Sequence, residues 1–181
     1  MKRLVALTAA YLASYSSFAY ASNTGTSYFE LALSGYQNKV DISDNAVELD
    51  TGMADLVLGY QFSDYLSLEA HAGFGLNEDS ASVMGKKVTG NLKNLVGANL
   101  KASIPVYNTV MLVAKAGYYQ ADMNYSVAID NIDKTVTMEG ATYGAGVEYY
   151  LDYSSYLGLS YQSYKGDLDA SAVTLTFGTR F

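Results

Sequence analysis

The final residues of the chain, 173–181, alternate strictly between two kinds of side chain. Val173, Leu175 and Phe177 share one face of an extended segment, small or polar residues lie between them, and Phe181 ends the segment. Successive side chains of a β-strand point to opposite faces, so a strand between lipid and a polar interior must alternate in this way. Similar segments recur upstream, and the pattern therefore predicts a set of membrane-spanning strands.

Turn residues divide the chain into eight predicted strands. The connections at 62–65, 104–108 and 151–155 are short, and the other four are long or rich in turn residues. Short and long connections alternate, as the periplasmic turns and extracellular loops of outer-membrane barrels do. The sequence therefore predicts an all-β fold, an eight-stranded antiparallel up-and-down transmembrane β-barrel with a filled polar lumen. Its strands are predicted over residues 27–37, 51–62, 65–76, 91–104, 109–121, 138–151, 155–164 and 170–181.

Each predicted strand has one apolar face without charges, which we assign to lipid, and one polar face that carries the charged residues. A charge that faces hydrocarbon costs on the order of 2–4 kcal/mol at the bilayer midplane, so the charged side chains are expected to pair in the lumen. In particular, Glu69 is expected to pair with Lys101. The predicted lumenal charge network consists of Glu30, Asp55, Glu69, His71, Lys101, Lys115, Glu148 and Arg180.

Tyrosine is abundant, with 18 residues in the chain, and its placement predicts two interfacial belts. The first belt lies near the short turns and the second near the long loops. The predicted turn-end belt contains Tyr28, Tyr65, Tyr107, Tyr149, Tyr153 and Tyr156, and the loop-end belt contains Tyr36, Tyr118, Tyr161 and Tyr164.

The amino terminus predicts export from the cytoplasm. Lys2 and Arg3 precede an apolar stretch, 4–13, and Ala19-Tyr20-Ala21 has the form of a signal-peptidase site. About 10 apolar residues are too few to cross a bilayer as a helix. We therefore expect residues 1–21 to be a cleaved signal peptide and residues 22–181 to be the barrel domain.

Several classes of function find little support in the sequence. The chain has no cysteine and a net charge of −7, which argues against thiol chemistry and nucleic-acid binding. Ser67, Glu69 and His71 share one strand face, but collinear side chains rarely converge on one reacting atom. The acidic clusters 41–45 and 130–133 lack the spacing of a calcium loop. We expect no catalytic site, cofactor or metal.

The two alternatives to a filled membrane barrel are a soluble barrel and an open pore. A soluble lipocalin-like barrel also has eight strands, but its apolar face lines a ligand cavity, whereas the small glycine-rich face here is the charged one. An open pore is disfavoured because eight strands enclose little more than their own side chains. Small lumenal residues such as Gly73, Gly117 and Gly144 either leave water pockets for a narrow or gated conductance or relieve crowding.

Several segments resemble the small OmpA-like and OmpX-like outer-membrane barrels. They are Leu56–Phe62 followed by Tyr65–Glu69, then Val113–Tyr118 and Tyr143–Tyr150, and the resemblance covers essentially the whole chain after residue 21. It implies that Phe181 is the signal read by the barrel assembly machinery, although Thr179 replaces the usual aromatic residue and should weaken it. Gly158 and Ser160 replace an arginine and a glutamate that are common in this family, which predicts a thinner lumenal network.

The resemblance implies a monomer in contact with outer-membrane lipid and lipopolysaccharide in a Gram-negative envelope. We expect a structural or interaction barrel whose exposed loops contact an extracellular protein partner or mediate adhesion. The sequences around Gly85 and around 130–131 resemble turns and predict hairpins that extend above the membrane. A gated channel and a lipid A-modifying enzyme remain the alternatives. No peptidoglycan-binding domain is expected after the barrel.

Overall fold

The computed structural model describes residues 24–42, 45–77, 79–83, 86–127, 132–167 and 169–181. Over these residues the chain forms nine strands. They are β1 (Thr26–Ile42), β2 (Asn45–Gln61), β3 (Leu66–Gly75), β4 (Asp79–Val83), β5 (Lys86–Tyr107), β6 (Val110–Val127), β7 (Ile132–Tyr150), β8 (Ser155–Gly166) and β9 (Ala170–Arg180). The predicted signal peptide, 1–21, lies outside the described residues. The described segments contain no helix of the length and apolarity needed to span a membrane.

Eight of these strands close into a barrel. The hydrogen-bonded order is β3-β2-β1-β9-β8-β7-β6-β5, and β3 also pairs with β5, which completes the ring. All pairings are antiparallel, and β4 pairs with β5 alone among the described strands. The predicted fold, a closed eight-stranded antiparallel barrel, is therefore confirmed, with β4 as a short additional strand at one end.

The period of two along each strand separates an outer surface from the lumen. In β9, for example, Val173, Leu175 and Phe177 are exposed, whereas Thr174 and Thr176 are buried. Leucines elsewhere on the outer face are also exposed, and Leu58 and Leu33 retain 61% and 58% of their accessible surface. Such a continuous apolar exterior is stable only against lipid.

The strands at the loop end are longer than the sequence predicts. β1 continues to Ile42 instead of residue 37, and β6 and β7 remain paired as far as Val127 and Ile132. β4 and β5 pair from Val83 and Lys86 onward, which forms a hairpin around the turn predicted at Gly85. Strands that pair above the membrane do not face lipid and need no apolar outer side chains. The apolar alternation, from which the strand ends are predicted, therefore ends earlier along the chain than the strand pairing.

The second short turn was placed too early. β5 extends through Pro105 to Tyr107, and only Asn108 and Thr109 form the turn to β6. The pairing of β5 with β6 shifts register between Pro105 and Tyr107. Proline has no N–H to donate, and a bulge lets the strand accommodate it instead of ending there.

Side chains fill the lumen at both ends of the barrel. At the loop end an apolar cluster forms around Tyr36, Tyr119 and Tyr164, where the Tyr36 and Tyr164 hydroxyls are 3.0 Å apart. At the turn end Met111 packs with Tyr150 and Tyr156. The cluster at the loop end consists of Tyr36, Met53, Leu92, Leu95, Tyr119, Ala121, Tyr164, Ala170 and Ala172.

Four of the tyrosines assigned to the belts were placed on the wrong face. Tyr28, Tyr36, Tyr156 and Tyr164 are at most 2% exposed and point into the lumen. Each lies an even number of residues from a lumenal residue of its own strand, as Tyr28 does from Glu30. This spacing, and not the position along the barrel axis, decides which face the side chain takes. The other six belt tyrosines, Tyr65, Tyr107, Tyr118, Tyr149, Tyr153 and Tyr161, are exposed.

Candidate functional site

The candidate site is a network of charged side chains in the lumen, centred on Lys101 of β5. Lys101 Nζ lies 2.5 Å from Glu148 Oε1, 3.0 Å from Glu30 Oε1 and 3.3 Å from Glu69 Oε1. Lys101 and the three glutamates are all at most 4% exposed. Three carboxylates from three different strands thus meet one ammonium group.

Lys115 of β6 provides a second cation to the same carboxylates. Its Nζ lies 2.9 Å from Glu69 Oε2 and 3.5 Å from Glu30 Oε2. Glu30 and Glu69 therefore each bridge both lysines. A buried charge without a partner costs several kcal/mol, so this sharing lets two ammonium groups and three carboxylates lie in a lumen that excludes most water.

Two tyrosines complete the hydrogen bonding of the glutamates. The Tyr28 hydroxyl donates to Glu69 Oε1 at 2.8 Å, and the Tyr156 hydroxyl donates to Glu30 Oε1 at 2.7 Å. Lys101 Nζ lies 4.7 Å from the Tyr28 ring centroid and 5.5 Å from that of Tyr156. Each of the two tyrosines thus donates a hydrogen bond to a carboxylate through its hydroxyl and also contacts the Lys101 ammonium group through its ring face.

Arg180 of β9 joins the network from the turn end. Its guanidinium contacts the Tyr150 hydroxyl, which donates to Glu148 Oε2 at 3.2 Å. The guanidinium carbon also lies 4.6 Å from the Tyr150 ring centroid. A continuous polar path therefore runs from Arg180 through Tyr150 and Glu148 to Lys101.

Asp55 and His71 are lumenal but do not join the ion pairs described above. Asp55 Oδ2 accepts a hydrogen bond from the Ser34 hydroxyl at 2.6 Å, and Ser34 in turn lies 2.9 Å from Thr174 Oγ1. His71 Nε2 has no hydrogen-bond partner among the described residues. Six of the eight residues predicted for the network are thus brought together, and two lie beside it.

The collinear residues of β3 are not joined to one another by direct hydrogen bonds in the described part of the chain. The Tyr28 hydroxyl lies 2.9 Å from Ser67 Oγ and also binds Glu69, so Ser67 and Glu69 share one structural partner. His71 contacts neither of them through Nε2. No group of three or more potential metal-ligating side chains occurs within the described ranges. The acidic clusters 41–45 and 130–133 lie partly outside them.

Glycines lie opposite the larger lumenal side chains around the barrel. A methyl group added to Gly59 would lie 2.0 Å from Tyr28 Cζ, and one added to Gly178 would lie 2.2 Å from Tyr156 Cζ. The Tyr28 and Tyr156 rings therefore occupy space that a larger residue on the next strand would need. The opposed pairs are Tyr28 with Gly59, Asp55 with Gly73, His71 with Gly97, Asn99 with Gly117, Lys115 with Gly144, Glu148 with Gly158, and Tyr156 with Gly178.

The sequence reasoning missed the tyrosines that complete the network. Tyr28, Tyr150 and Tyr156 have the same parity as Glu30, Glu148 and Gly158 on their own strands, which was the available signal. A thinner lumenal network is predicted from Gly158 and Ser160, and Tyr156 of the same strand contributes a hydroxyl to that network through its bond to Glu30. Aromatic rings of neighbouring residues fill the volume that the small side chains at Gly158 and Ser160 leave open.

A family model for the outer membrane protein β-barrel domain matches residues 4–181. The chain belongs to this family. Its known members are outer-membrane proteins, which agrees with the apolar exterior and the closed barrel. A search of curated protein sequences found no significant match.

Several solved outer-membrane barrels have the same fold as this family member. Ail, the attachment invasion locus protein of Yersinia pestis, is 14% identical with a TM-score of 0.61, and the match covers 87% of this chain and 99% of Ail. The OprF amino-terminal barrel of Pseudomonas aeruginosa is 16% identical with a TM-score of 0.65 (89% and 100% covered). OprG of the same organism is 10% identical with a TM-score of 0.66 (87% and 96% covered). These identities show a common fold.

Phe181, the predicted assembly signal of this outer-membrane barrel, follows β9 at the turn end. Its N–H donates to the Ser27 carbonyl at 2.9 Å, and the Ser27 N–H donates to the Phe181 carbonyl at 3.2 Å. Its side chain is 75% exposed. The residue therefore lies in the seam where β9 meets β1, and its ring is accessible on the barrel surface.

Proposed function

We propose that this protein is a non-enzymatic interaction barrel of a Gram-negative outer membrane that binds an extracellular protein partner through its paired strands above the membrane. The observation that supports this most strongly is the open edge of β7. Pairing of β7 with β8 begins at Gly140, whereas pairing with β6 continues to Ile132. Residues 132–138 therefore have a neighbouring strand on one side only among the described residues, and the backbone of Glu139 is bonded to Asp167.

The orientation of that edge follows from two hydrogen bonds. The Tyr150 N–H donates to the Thr109 carbonyl on the β6 side, whereas the Glu139 carbonyl accepts from the Asp167 N–H on the β8 side. Backbone groups alternate in direction along an antiparallel strand. Thr135 and Thr137 therefore direct their backbone N–H and C=O groups away from β6, where an extended peptide can add as a further strand.

The lumen offers less support for transport or catalysis. The two lumenal cavities beside the ion network have volumes of about 30 and 10 Å³, which do not form a pathway for solutes.

The net charge of the chain indicates what class of partner it binds. Ail was solved in complex with the heparin analogue sucrose octasulfate, but the net charge of −7 here disfavours a sulfated polyanion. We propose a protein segment that binds as a β-strand, with basic residues at its ends.

Export, assembly and surroundings complete the proposal. Residues 1–21 act as a cleaved signal peptide, and Phe181 is read by the barrel assembly machinery. The barrel is a monomer whose apolar exterior contacts outer-membrane lipid and lipopolysaccharide. Deletion of Phe181 is expected to reduce the amount of folded protein in the outer-membrane fraction, whereas equal amounts would count against this role.

The strand-addition proposal is tested with two variants of one residue. Thr137→Pro removes an outward N–H without removing a backbone hydrogen bond to β6, so bacteria that display this variant should lose attachment to cultured epithelial cells. Thr137→Val is the matched control. It removes the 2.8 Å bond from the Thr137 hydroxyl to Asp122 Oδ1 but keeps the N–H. Equal attachment by both variants, or full attachment after deletion of 124–137, would contradict the proposal.

A further inference from the structure

One cavity in the lumen is lined by polar atoms that have no partner. It has a volume of about 30 Å³ and lies beside the ion network, with Asp55, His71, Asn99 and Lys115 among its lining residues. Asp55 Oδ1, His71 Nε2 and Asn99 Oδ1 are buried and make no hydrogen bond within the described part of the chain. Asp55 and Asn99 are only 7% and 4% exposed.

These three atoms belong to residues of three neighbouring strands, β2, β3 and β5. Asp55 is opposite Gly73 on β3, His71 is two residues before Gly73 on that strand, and Asn99 lies two residues after Gly97, the partner of His71. Methyl groups added to Gly73, Gly97 and Gly117 would lie 2.2–2.3 Å from Asp55 Oδ1, His71 Nε2 and Asn99 Oδ1. Each of the three polar atoms thus lies over a glycine of the next strand. The three glycines are on β3, β5 and β6, so the atoms follow a diagonal line across neighbouring strands.

The lumenal charges of the residues whose side chains the structure describes do not balance. Glu30, Glu69 and Glu148 pair with Lys101 and Lys115, and Arg180 reaches Glu148 through Tyr150. Asp55 is the fourth carboxylate and takes part in no ion pair among the described residues. An imidazole is ordinarily neutral at pH 7, so four negative charges face three permanent positive ones. An uncompensated carboxylate in such a site is costly.

We propose that this cavity binds one alkali-metal cation together with water. Asp55 Oδ1 and Asn99 Oδ1 are hard oxygen ligands of the kind such ions take, and Ser160, Thr174 and Thr176 line the same space. A single charge is required, because only one carboxylate is uncompensated. A volume of about 30 Å³ admits roughly two water-sized species, which suits one ion and one water. The site is independent of the proposed surface contact.

The test is the cation dependence of unfolding. The barrel is refolded into phosphatidylcholine vesicles and unfolded with urea at constant pH and ionic strength, in sodium chloride or in choline chloride, whose cation is too large for the cavity. A ligand that binds only the folded state lowers the unfolding equilibrium constant by the factor 1 + [L]/Kd, so sodium at ten times Kd should lower it about tenfold.

Two variants assign the effect to this cavity. Asp55→Asn keeps an acceptor for the Ser34 hydroxyl but removes the charge, and it should abolish the difference between sodium and choline. Asp152→Asn removes one negative charge from an exposed turn and should retain the difference. If the wild-type protein unfolds equally in both salts, the proposal is overturned whether or not Asp55→Asn folds.

Discussion

Lys101 Nζ lies 3.3 Å from Glu69 Oε1, although the two residues are not opposite each other in the sheet. In the pairing of β3 with β5, Lys101 faces Ser67 and Glu69 faces Asn99. The contact is therefore diagonal, and the long lysine side chain reaches across one residue pair to the carboxylate. That reach also places the ammonium within range of Glu30 and Glu148, which makes Lys101 the centre of the network instead of one member of a single pair.

Glu69→Gln should destabilise the barrel by about 3 kcal/mol, because it removes a carboxylate that both lysines share. Urea unfolding in lipid vesicles measures the change. Glu139→Gln, an exposed residue of β7, is the control and should alter the free energy of unfolding by less than about 0.5 kcal/mol. An unchanged midpoint for Glu69→Gln would show that the lumenal register is wrong.

Gly59→Ala should destabilise the barrel by about 1–3 kcal/mol, since the added methyl group would overlap the Tyr28 ring. Gly35→Ala is a matched control on β1. Its added methyl group would meet no atom within 4 Å. Equal stability of the two variants would mean that the Tyr28 ring does not lie over Gly59.

The hydrogen bond between Tyr36 and Tyr164 should appear in a double-mutant cycle. Each Tyr→Phe change should cost about 1 kcal/mol, and the double variant should cost less than the sum, because one bond is lost in all three proteins. Additive losses in the free energy of unfolding would indicate that the two hydroxyls have other partners.

Asp152 should make the last short turn sensitive to acid. Backbone N–H groups of Ser154 and Ser155 donate to its Oδ1, each at 2.7 Å, and these bonds hold the pKa of Asp152 below its ordinary value. Because the pKa is lower in the folded state, the stabilisation is complete above the unfolded pKa of about 3.9 and is lost as pH falls through the folded pKa.

The carbon-13 chemical shift of the Asp152 carboxyl group measures that titration directly. A midpoint below about 3.9 is expected in the folded barrel. Asp152→Asn should remove the acid-dependent change in the turn. A midpoint at or above the ordinary value would contradict the hydrogen-bond assignment.

The period of two made the faces of each strand predictable from the sequence. Leu58 had to face outward once Asp55 of the same strand had been assigned inward, and Leu175 likewise once Arg180 had been, because lipid excludes charge. The same rule is sufficient to place Tyr28 and Tyr156 in the lumen, whereas their position near a membrane interface wrongly predicts an outward orientation. That error hid the hydroxyl groups that bind Glu30 and Glu69.

Other features depend on distances that the alternation pattern does not contain. The diagonal contact of Lys101 with Glu69 requires the register between β3 and β5, and strands 66–75 and 86–107 are separated by a hairpin whose length the sequence pattern left open. The separation of Asp55 and His71 from the ion network likewise depends on which carboxylates the two lysines reach. Both features, the diagonal contact and the separation of Asp55 and His71, arise only when the strands close into a ring.

The migration of boiled and unboiled protein from an outer-membrane fraction on a denaturing gel tests the account most directly. A closed barrel with a filled lumen remains compact in detergent until it is heated, so the unboiled protein should migrate differently from the boiled one. Recovery of the protein in the soluble periplasmic fraction, with identical migration before and after heating, would contradict the assignment of the apolar face to lipid and of the charged face to the lumen.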